Sequence, residues 1–370
     1  MKKILSFLLI ITFTISSILG LNGCGYEYQN PSVLYDYTNN NLKGTTLNIY
    51  NWGEYISDGS EGAIDVVKEF EKLTGIKVNY STFDSNESMY SLLKYGGVSY
   101  DIVIPSDYMI ERMINEDMLQ KIDTSKLSNY NFVDEKYKDL YYDKNNEYSV
   151  PYSVGMVGLI YNSSIVKETP DSWSIMWDER YKNDVLTFNN PRDTFAIAQF
   201  LLGQDINTKD KSEWDAAAQL LKEQKSVLQA YVMDEVYNKM ESASAAIAPY
   251  YAGDYLSMVE NNEDLRFVYP KEGTNIFVDA VCIPKNAENY EAALLFINYL
   301  LEPEIALANA EFIYYASPNT SVINNEEYSL YGNSLLYPEA SKMPKTQYFH
   351  DMDKETREYF DKLWQDVKLY

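Results

Sequence analysis

The sequence predicts an α/β protein whose strands form a parallel sheet covered on both faces. Three observations predict it. Short apolar runs alternate with stretches carrying apolar residues at helical spacing, glycines fall where those helices should stop, and aromatic and carboxylate side chains gather directly after strand ends. Strands alternating with amphipathic helices make a parallel sheet, because each parallel connection needs a crossover.

The elements follow in chain order. Residues 47–50 read as a strand, with Leu47, Ile49 and Tyr50 as its apolar content. Ile64, Val67, Phe70 and Leu73 share a helix face, and Gly75 ends that helix. Ile76, Val78 and Tyr80 alternate as a strand. Ser85 or Asn86 caps a helix carrying Met89, Leu92 and Leu93, which Gly96 and Gly97 stop. Residues 101–105 read as a continuous buried strand, and Ser106 or Asp107 caps a helix with Met109, Met113 and Ile114. A second α/β region begins near residue 152. It holds strands at 185–188 and 277–283, an apolar stretch at 245–251, and helices at 194–202, 214–221 and 290–301. The last helix is too short to span a membrane.

In open α/β sheets, ligands bind beyond the carboxyl ends of the strands. Trp52, Glu54 and Tyr55 follow the first strand, and Ser106 and Tyr108 follow the third, so both loops lie at one edge. Core capping explains either loop alone; the two together point to a site.

The formal charge of −24 argues against a nucleic-acid partner. Tyrosine occurs 35 times, so many must line a cleft or the surface, since a buried hydroxyl needs a partner. His350 is the single histidine and lies in a polar stretch, which removes most histidine-based zinc and triad chemistry. No GxxxxGK[ST] phosphate loop occurs. No metal or cofactor is expected.

The first 23 residues read as an export signal: Lys2 and Lys3, then an apolar run from Ile4 to Ile18. Leu21-Asn22-Gly23-Cys24 resembles a bacterial lipoprotein box, which implies cleavage before Cys24 and a lipid on its sulfur. Two acyl chains suffice for stable anchoring. Residues 24–44 are polar and read as a tether. Cys282 is then left without a disulfide partner and reads as a small buried hydrophobe.

Several carboxylates stand beside aromatics. Glu54 lies between Trp52 and Tyr55, Asp193 precedes Phe195, and Asp279 shares a strand face with Phe277. A carboxylate in an apolar strand is costly unless paired, with a protein cation or with one that arrives later. Alkylammonium ions suit such a site. Carboxylates accept their charge-assisted hydrogen bonds, and ring faces attract the cation and cover the methylenes between amines. Sugars also use aromatic–carboxylate sites.

The stretches YNWGEYI, TGIKVNYSTFDSNESMYSLL, YDIVIPSDY, MLQKIDTSKLSN, YSVPYSVGMVGLIYN, VYPKEG and EFIYYASPN resemble the spermidine/putrescine-binding (PotD) family of bacterial polyamine ABC importers. The resemblance runs from about residue 47 to the C-terminal region. It implies a two-lobed periplasmic-binding-protein fold (type II), α/β in class, with the ligand cleft between lobes. It implies a polyamine ligand, spermidine or putrescine, delivered to an ABC permease by a monomeric extracytoplasmic lipoprotein that is no enzyme. By the same resemblance, Trp52, Glu54, Tyr55, Ser106 and Tyr108 match contact loops, and Asp193 and Asp279 match acidic contacts. Tyr315 matches an aromatic wall and Gln347 a polar contact. Asn190 stands where the family carries Asp, and Tyr251 and Phe277 where it carries tryptophan. These departures weaken a charge and two ring faces, which puts the identity of the polyamine in doubt. The implied lobes are residues 45–154 plus 278–322 and residues 155–277 plus 323–370, with crossings near Val154, Phe277 and Val322. Two other readings stay open: the same fold with another cationic, sugar-like or tyrosine–carboxylate-bound iron cargo, and a glycoside hydrolase using Glu54 with Asp193 or Asp279.

Overall fold

The computed structural model describes residues 31–370. The export signal, Cys24 and the start of the expected tether lie outside the described residues. The first half of the chain runs β1 (Thr46–Trp52), α1 (Val66–Thr74), β2 (Lys77–Phe83), α2 (Asn86–Tyr95), β3 (Ile102–Val103) and α3 (Asp107–Asn115). After several 3-10 turns comes the long strand β4 (Ser149–Asn162). Then follow β5 (Val185–Phe188), α4 (Pro191–Leu202), α5 (Lys211–Gln224), β6 (Leu228–Val232), α6 (Glu235–Glu241), β7 (Ile247–Tyr251), α7 (Ala252–Asn261) and β8 (Leu265–Val268). The chain ends with β9 (Thr274–Cys282), α8 (Tyr290–Leu300), α9 (Pro303–Ile313), α10 (Thr320–Ile323), β10 (Thr346–Gln347) and α11 (Lys354–Leu369).

Local chemistry sets these bounds. Asp65 caps α1 by accepting from the Lys68 N–H, and Gly75 closes it in the left-handed conformation. Strand β3 is shorter than the expected 101–105 run. Beyond Val103 the ladder changes partner: Pro105 offers only a carbonyl, which accepts from the Ala280 N–H. Helix α4 begins at Pro191, three residues before the expected Thr194, because Asn190 caps it and proline suits the first helical turn.

The sheet order is β2-β1-β3-β9-β4-β7-β5-β6. β1 pairs parallel with β2 and β3, and β5 pairs parallel with β7 and β6. Between these two parallel groups lies an antiparallel pair. β9 pairs with β4 from Ser149 to Met156, and β4 then passes to β7 from Val157 to Tyr161. One continuous strand thus serves both halves of the molecule.

One core lies within the first half, and a larger one runs from Val103 and Met109 of that half into the second. Leu47, Ile49 and Ile102 pack with Phe70 of α1 and Phe296 of α8, whose rings meet edge to face at 4.9 Å. In the other half Leu159, Ile160, Leu186, Phe188 and Ile247 share a core. Helices α4, α5 and α11 close around Phe195, Trp214 and Phe360. Each such side chain contributes about 1.5–3 kcal/mol when fully buried. Cys282 is fully buried, as expected, and burial pushes its thiol pKa up. No helix among the described residues is long and apolar enough to cross a membrane.

The tether expectation needs correction from Ser32 onward. Glu302, fully buried, accepts from the Leu34 and Tyr35 N–H groups, the Tyr37 hydroxyl and the Asn129 amide. The Ser32 N–H donates to Glu304, Tyr37 is 1% exposed, and the Gly44 N–H donates to the Gly75 carbonyl. The segment is a docked strap, since a buried carboxylate offers its polar groups a partner.

Candidate ligand-binding site

Four strands, two from each parallel group, deliver their carboxyl ends to one place. β1 ends at Trp52, β3 leads into Ser106–Tyr108, β5 into Asn190–Asp193, and β7 into Tyr251–Asp254. Helices α3, α4 and α7 begin there, and each carries an aspartate in its first turn: Asp107, Asp193 and Asp254. The positive end of a helix dipole favours a carboxylate at that position. β9 contributes Phe277 and Asp279 from the shared central pair.

Three carboxylates share one design. The Tyr55 hydroxyl donates to Asp279 Oδ2 at 2.6 Å. The Tyr251 hydroxyl donates to Asp193 Oδ2 at 2.7 Å, with the Asn190 and Asn275 amides adding donors at 2.7 and 2.9 Å. Asp254 accepts from the hydroxyls of Tyr237, at 2.5 Å, and Tyr315. The three aspartates have pKa values raised to about 6; burial is the main cause, and the tyrosine hydrogen bonds work against it. Oδ1 of Asp279 is buried without a hydrogen-bond partner among the described residues, as are Ser153 Oγ and Trp52 Nε1. Ser153 lies directly opposite Asp279 in the β4–β9 pair. A buried carboxylate oxygen left in this way calls for a donor.

The same tyrosines form a wall of rings. Tyr55 meets Tyr315 at 5.8 Å, Tyr315 meets Phe277 at 6.1 Å, and Phe277 meets Tyr251 at 5.4 Å. Two glycines make room for it. A Cβ at Gly155 would lie 2.2 Å from Phe277 Cζ, and one at Gly253 would lie 2.9 Å from the Tyr315 ring. Trp52 packs on Phe83 at 4.5 Å.

The remaining expected residues take different positions. Glu54 is exposed, with its backbone in the left-handed region at φ 48°, a cost of roughly 1–2 kcal/mol for a residue with a side chain. Ser106 occupies the N-cap position of α3 without capping it; its hydroxyl instead accepts from the Asn86 amide at 3.1 Å. The Tyr108 hydroxyl donates to Glu87 at 2.9 Å, and its ring faces the Arg192 guanidinium at 5.1 Å. Gln347 pairs in register with Asn275, but its side-chain oxygen is taken by the Ile206 N–H at 3.2 Å. Asp107 is fully buried, with its pKa pushed well up by desolvation, and it accepts from the Val278 N–H at 3.1 Å. Sequence reasoning missed Asp254 and Asn275. Asp254 follows the end of β7 by three residues, so the strand-end rule that found Asp193 covers it too.

Two parallel halves, joined by strands they share and meeting at a carboxylate-and-ring site, define a solute-binding protein. The chain belongs to the bacterial extracellular solute-binding protein family, which matches residues 99–334. The spermidine/putrescine-binding periplasmic protein of Salmonella typhimurium is 36% identical over 323 residues, 86% of this chain and 91% of that protein. A solved structure, described as a putative spermidine/putrescine ABC transporter from Listeria monocytogenes, is similar with a TM-score of 0.82 at 36% identity, covering 88% of this chain and 99% of the other. The spermidine/putrescine ABC transporter substrate-binding protein of Streptococcus pneumoniae gives a TM-score of 0.74 at 34% identity, with 88% and 99% covered. The fold is therefore the two-lobed periplasmic-binding-protein fold that the sequence resemblance implies.

Proposed function

We propose that this chain is the receptor of a bacterial polyamine importer: it captures spermidine or putrescine outside the membrane, closes on it, and hands it to an ABC permease. One observation carries the reading. Two buried aspartates, Asp193 and Asp279, and the half-buried Asp254 lie along a single wall of tyrosine and phenylalanine rings. Carboxylates spaced along an apolar wall suit ammonium groups spaced along a methylene chain. Each CH₂ buried contributes about 0.8 kcal/mol, and each ring face about 0.5–2 kcal/mol to a nearby cation. The free Oδ1 of Asp279 is the acceptor assigned to an inner amine. Trp52, Glu54, Tyr55, Asn190, Tyr251, Phe277 and Tyr315 complete the contacts in this reading, with Ser106, Tyr108 and Gln347 behind them.

The lobes of this reading are residues 45–154 plus 278–322 and residues 155–277 plus 323–370, with β4 and β9 crossing between them. Cleavage before Cys24 and its lipidation would hold the receptor at the cell membrane. Calorimetric titration tests the function. The lipid-free protein should begin at Gly25, so that the strap docked on Glu302 is kept. One-to-one binding of spermidine or putrescine, with none of arginine or a neutral disaccharide, is the expected result. No heat and no thermal stabilisation with either polyamine would sink the proposal.

A further inference from the structure

The site region contains one buried group of the wrong sign for a cation receptor. Arg192 is 6% exposed and stands next to Asp193 in the first turn of α4. Its guanidinium lies over the Phe349 ring at 4.4 Å and the Tyr108 ring at 5.1 Å. Nη2 donates to the His350 carbonyl at 3.1 Å, and Nε has no hydrogen-bond partner among the described residues. A buried guanidinium held by two rings and one carbonyl costs free energy, so its position needs a reason.

The geometry points to a closure residue. Asp193 and Arg192 leave the same helical turn in different directions. Asp193 bonds to Tyr251 and Asn275 within its own half. Arg192 reaches Tyr108, which belongs to α3 of the other half. One turn along α3, Glu111 accepts from the Asp351 N–H at 2.7 Å and lies 3.5 Å from His350 Nδ1. Tyr108 and Glu111 thus present one face of α3 to the 349–351 segment, and Phe349 meets the Tyr108 ring edge to face at 6.1 Å. Tyr141 packs on the His350 ring at 4.3 Å. The lone histidine and the lone buried arginine of this region belong to one clasp between the halves.

We propose that Arg192 holds the halves shut over a bound polyamine without touching it. The proposal rests on the polyamine reading above. When the halves part, the guanidinium keeps Phe349 and the His350 carbonyl of its own half and loses Tyr108, so one side of it meets water; when they meet, Tyr108 and Phe349 sandwich it. The Arg192 guanidinium lies over the Tyr108 ring, so in this proposal Tyr108 acts on the ligand through closure. A contact made after capture slows release and leaves the capture rate nearly unchanged.

Stopped-flow fluorescence with spermidine reads both rates on the lipid-free protein from Gly25. Arg192→Met should release ligand about tenfold faster, with capture within about twofold of the wild-type rate. Arg192→Lys should fall between, because an ammonium lacks the planar fork. Adding Tyr108→Leu to Arg192→Met should change release no further than Tyr108→Leu does alone. An unchanged release rate in Arg192→Met, with wild-type binding intact, overturns the proposal. If Arg192→Met does not fold, Arg192→Lys carries the same comparison. If the wild-type protein binds no polyamine, the receptor reading fails, and small-angle scattering of the ligand-free proteins decides the clasp. A larger radius of gyration in Arg192→Met supports it, and an identical one overturns it.

Discussion

Asp279 shows how a single residue can weaken a fold and still be kept. Its carboxylate is 3% exposed, accepts from the Tyr55 hydroxyl, has the Ser106 side chain beside it and Oδ1 without a well-formed hydrogen bond among the described residues, and titrates near 6. Its folded pKa lies above the ordinary aspartate value of 3.8, so the folded, ligand-free protein binds the proton more tightly than the unfolded chain. That stabilisation is fully present below the unfolded pKa and is lost as pH rises through about 6. Each tenfold difference in proton affinity between the two states is worth roughly 1.4 kcal/mol. The same sign holds for Asp193 and Asp254. A cationic ligand prefers the ionised forms, so its affinity runs the other way. Calorimetry at pH 7 and pH 5 should show at least a tenfold loss of polyamine affinity at the lower pH, with proton release on binding between them. Asp279→Asn should melt no lower than wild type while binding on the order of 100-fold more weakly; a variant that melts lower and binds normally would make Asp279 structural. Asp279 was legible in the sequence because a carboxylate in FVDAVCI is costly unless a cation, of the protein or of a ligand, pairs with it. Asp254 was passed over although it follows a strand end, because AGDY reads as an ordinary helix start until Tyr237 and Tyr315 arrive from elsewhere in the chain.

At the scale of elements, order along the chain carried most of the information. β1, α1, β2, α2 and α3 follow from apolar spacing and capping residues, since both are local. The short strands β6, β8 and β10 and the amphipathic helix α11 escaped notice. Two-residue β10 exists only through its pairing with β9, and α11 is defined by what it covers, Phe195 and Trp214. The strap before β1 was misread for the same reason. Its anchor, Glu302, lies 265 residues from Tyr37, and no local pattern announces so distant a partner. Removing residues 26–44 would leave Glu302 buried without three of its four donors. The expected loss is about 3–5 kcal/mol, and Tyr37→Phe should cost about 1–3 kcal/mol. Thermal or urea melts compare the three proteins; equal midpoints would return the segment to the status of a loose tether.

For the whole molecule, the feature that matters most is the antiparallel pair shared by both halves. β9 pairs with β3 of one parallel group and β4 with β7 of the other, and the two strands pair with each other across one irregularity between Pro151 and Ser153. Parting the halves therefore twists a two-stranded ribbon. Such a ribbon resists stretching through its two covalent backbones, its hydrogen bonds lying across the strands, and its twist is the easier coordinate to change. Amide exchange should read this directly: residues 276–282 keep the same protection with and without polyamine, while 190–193 and 251–254 gain protection on binding. Ligand-dependent exchange in the ribbon itself would point to local unfolding instead. Torsion also gives the carboxylates unequal travel. Asp279 rides on the axle, between Val278 and Ala280, whereas Asp193 and Asp254 sit on a swinging arm. If the proposed lobes open about this ribbon, the outer carboxylates would let go of a ligand first and Asp279 last, so the departing ligand would pivot about a single point before it leaves.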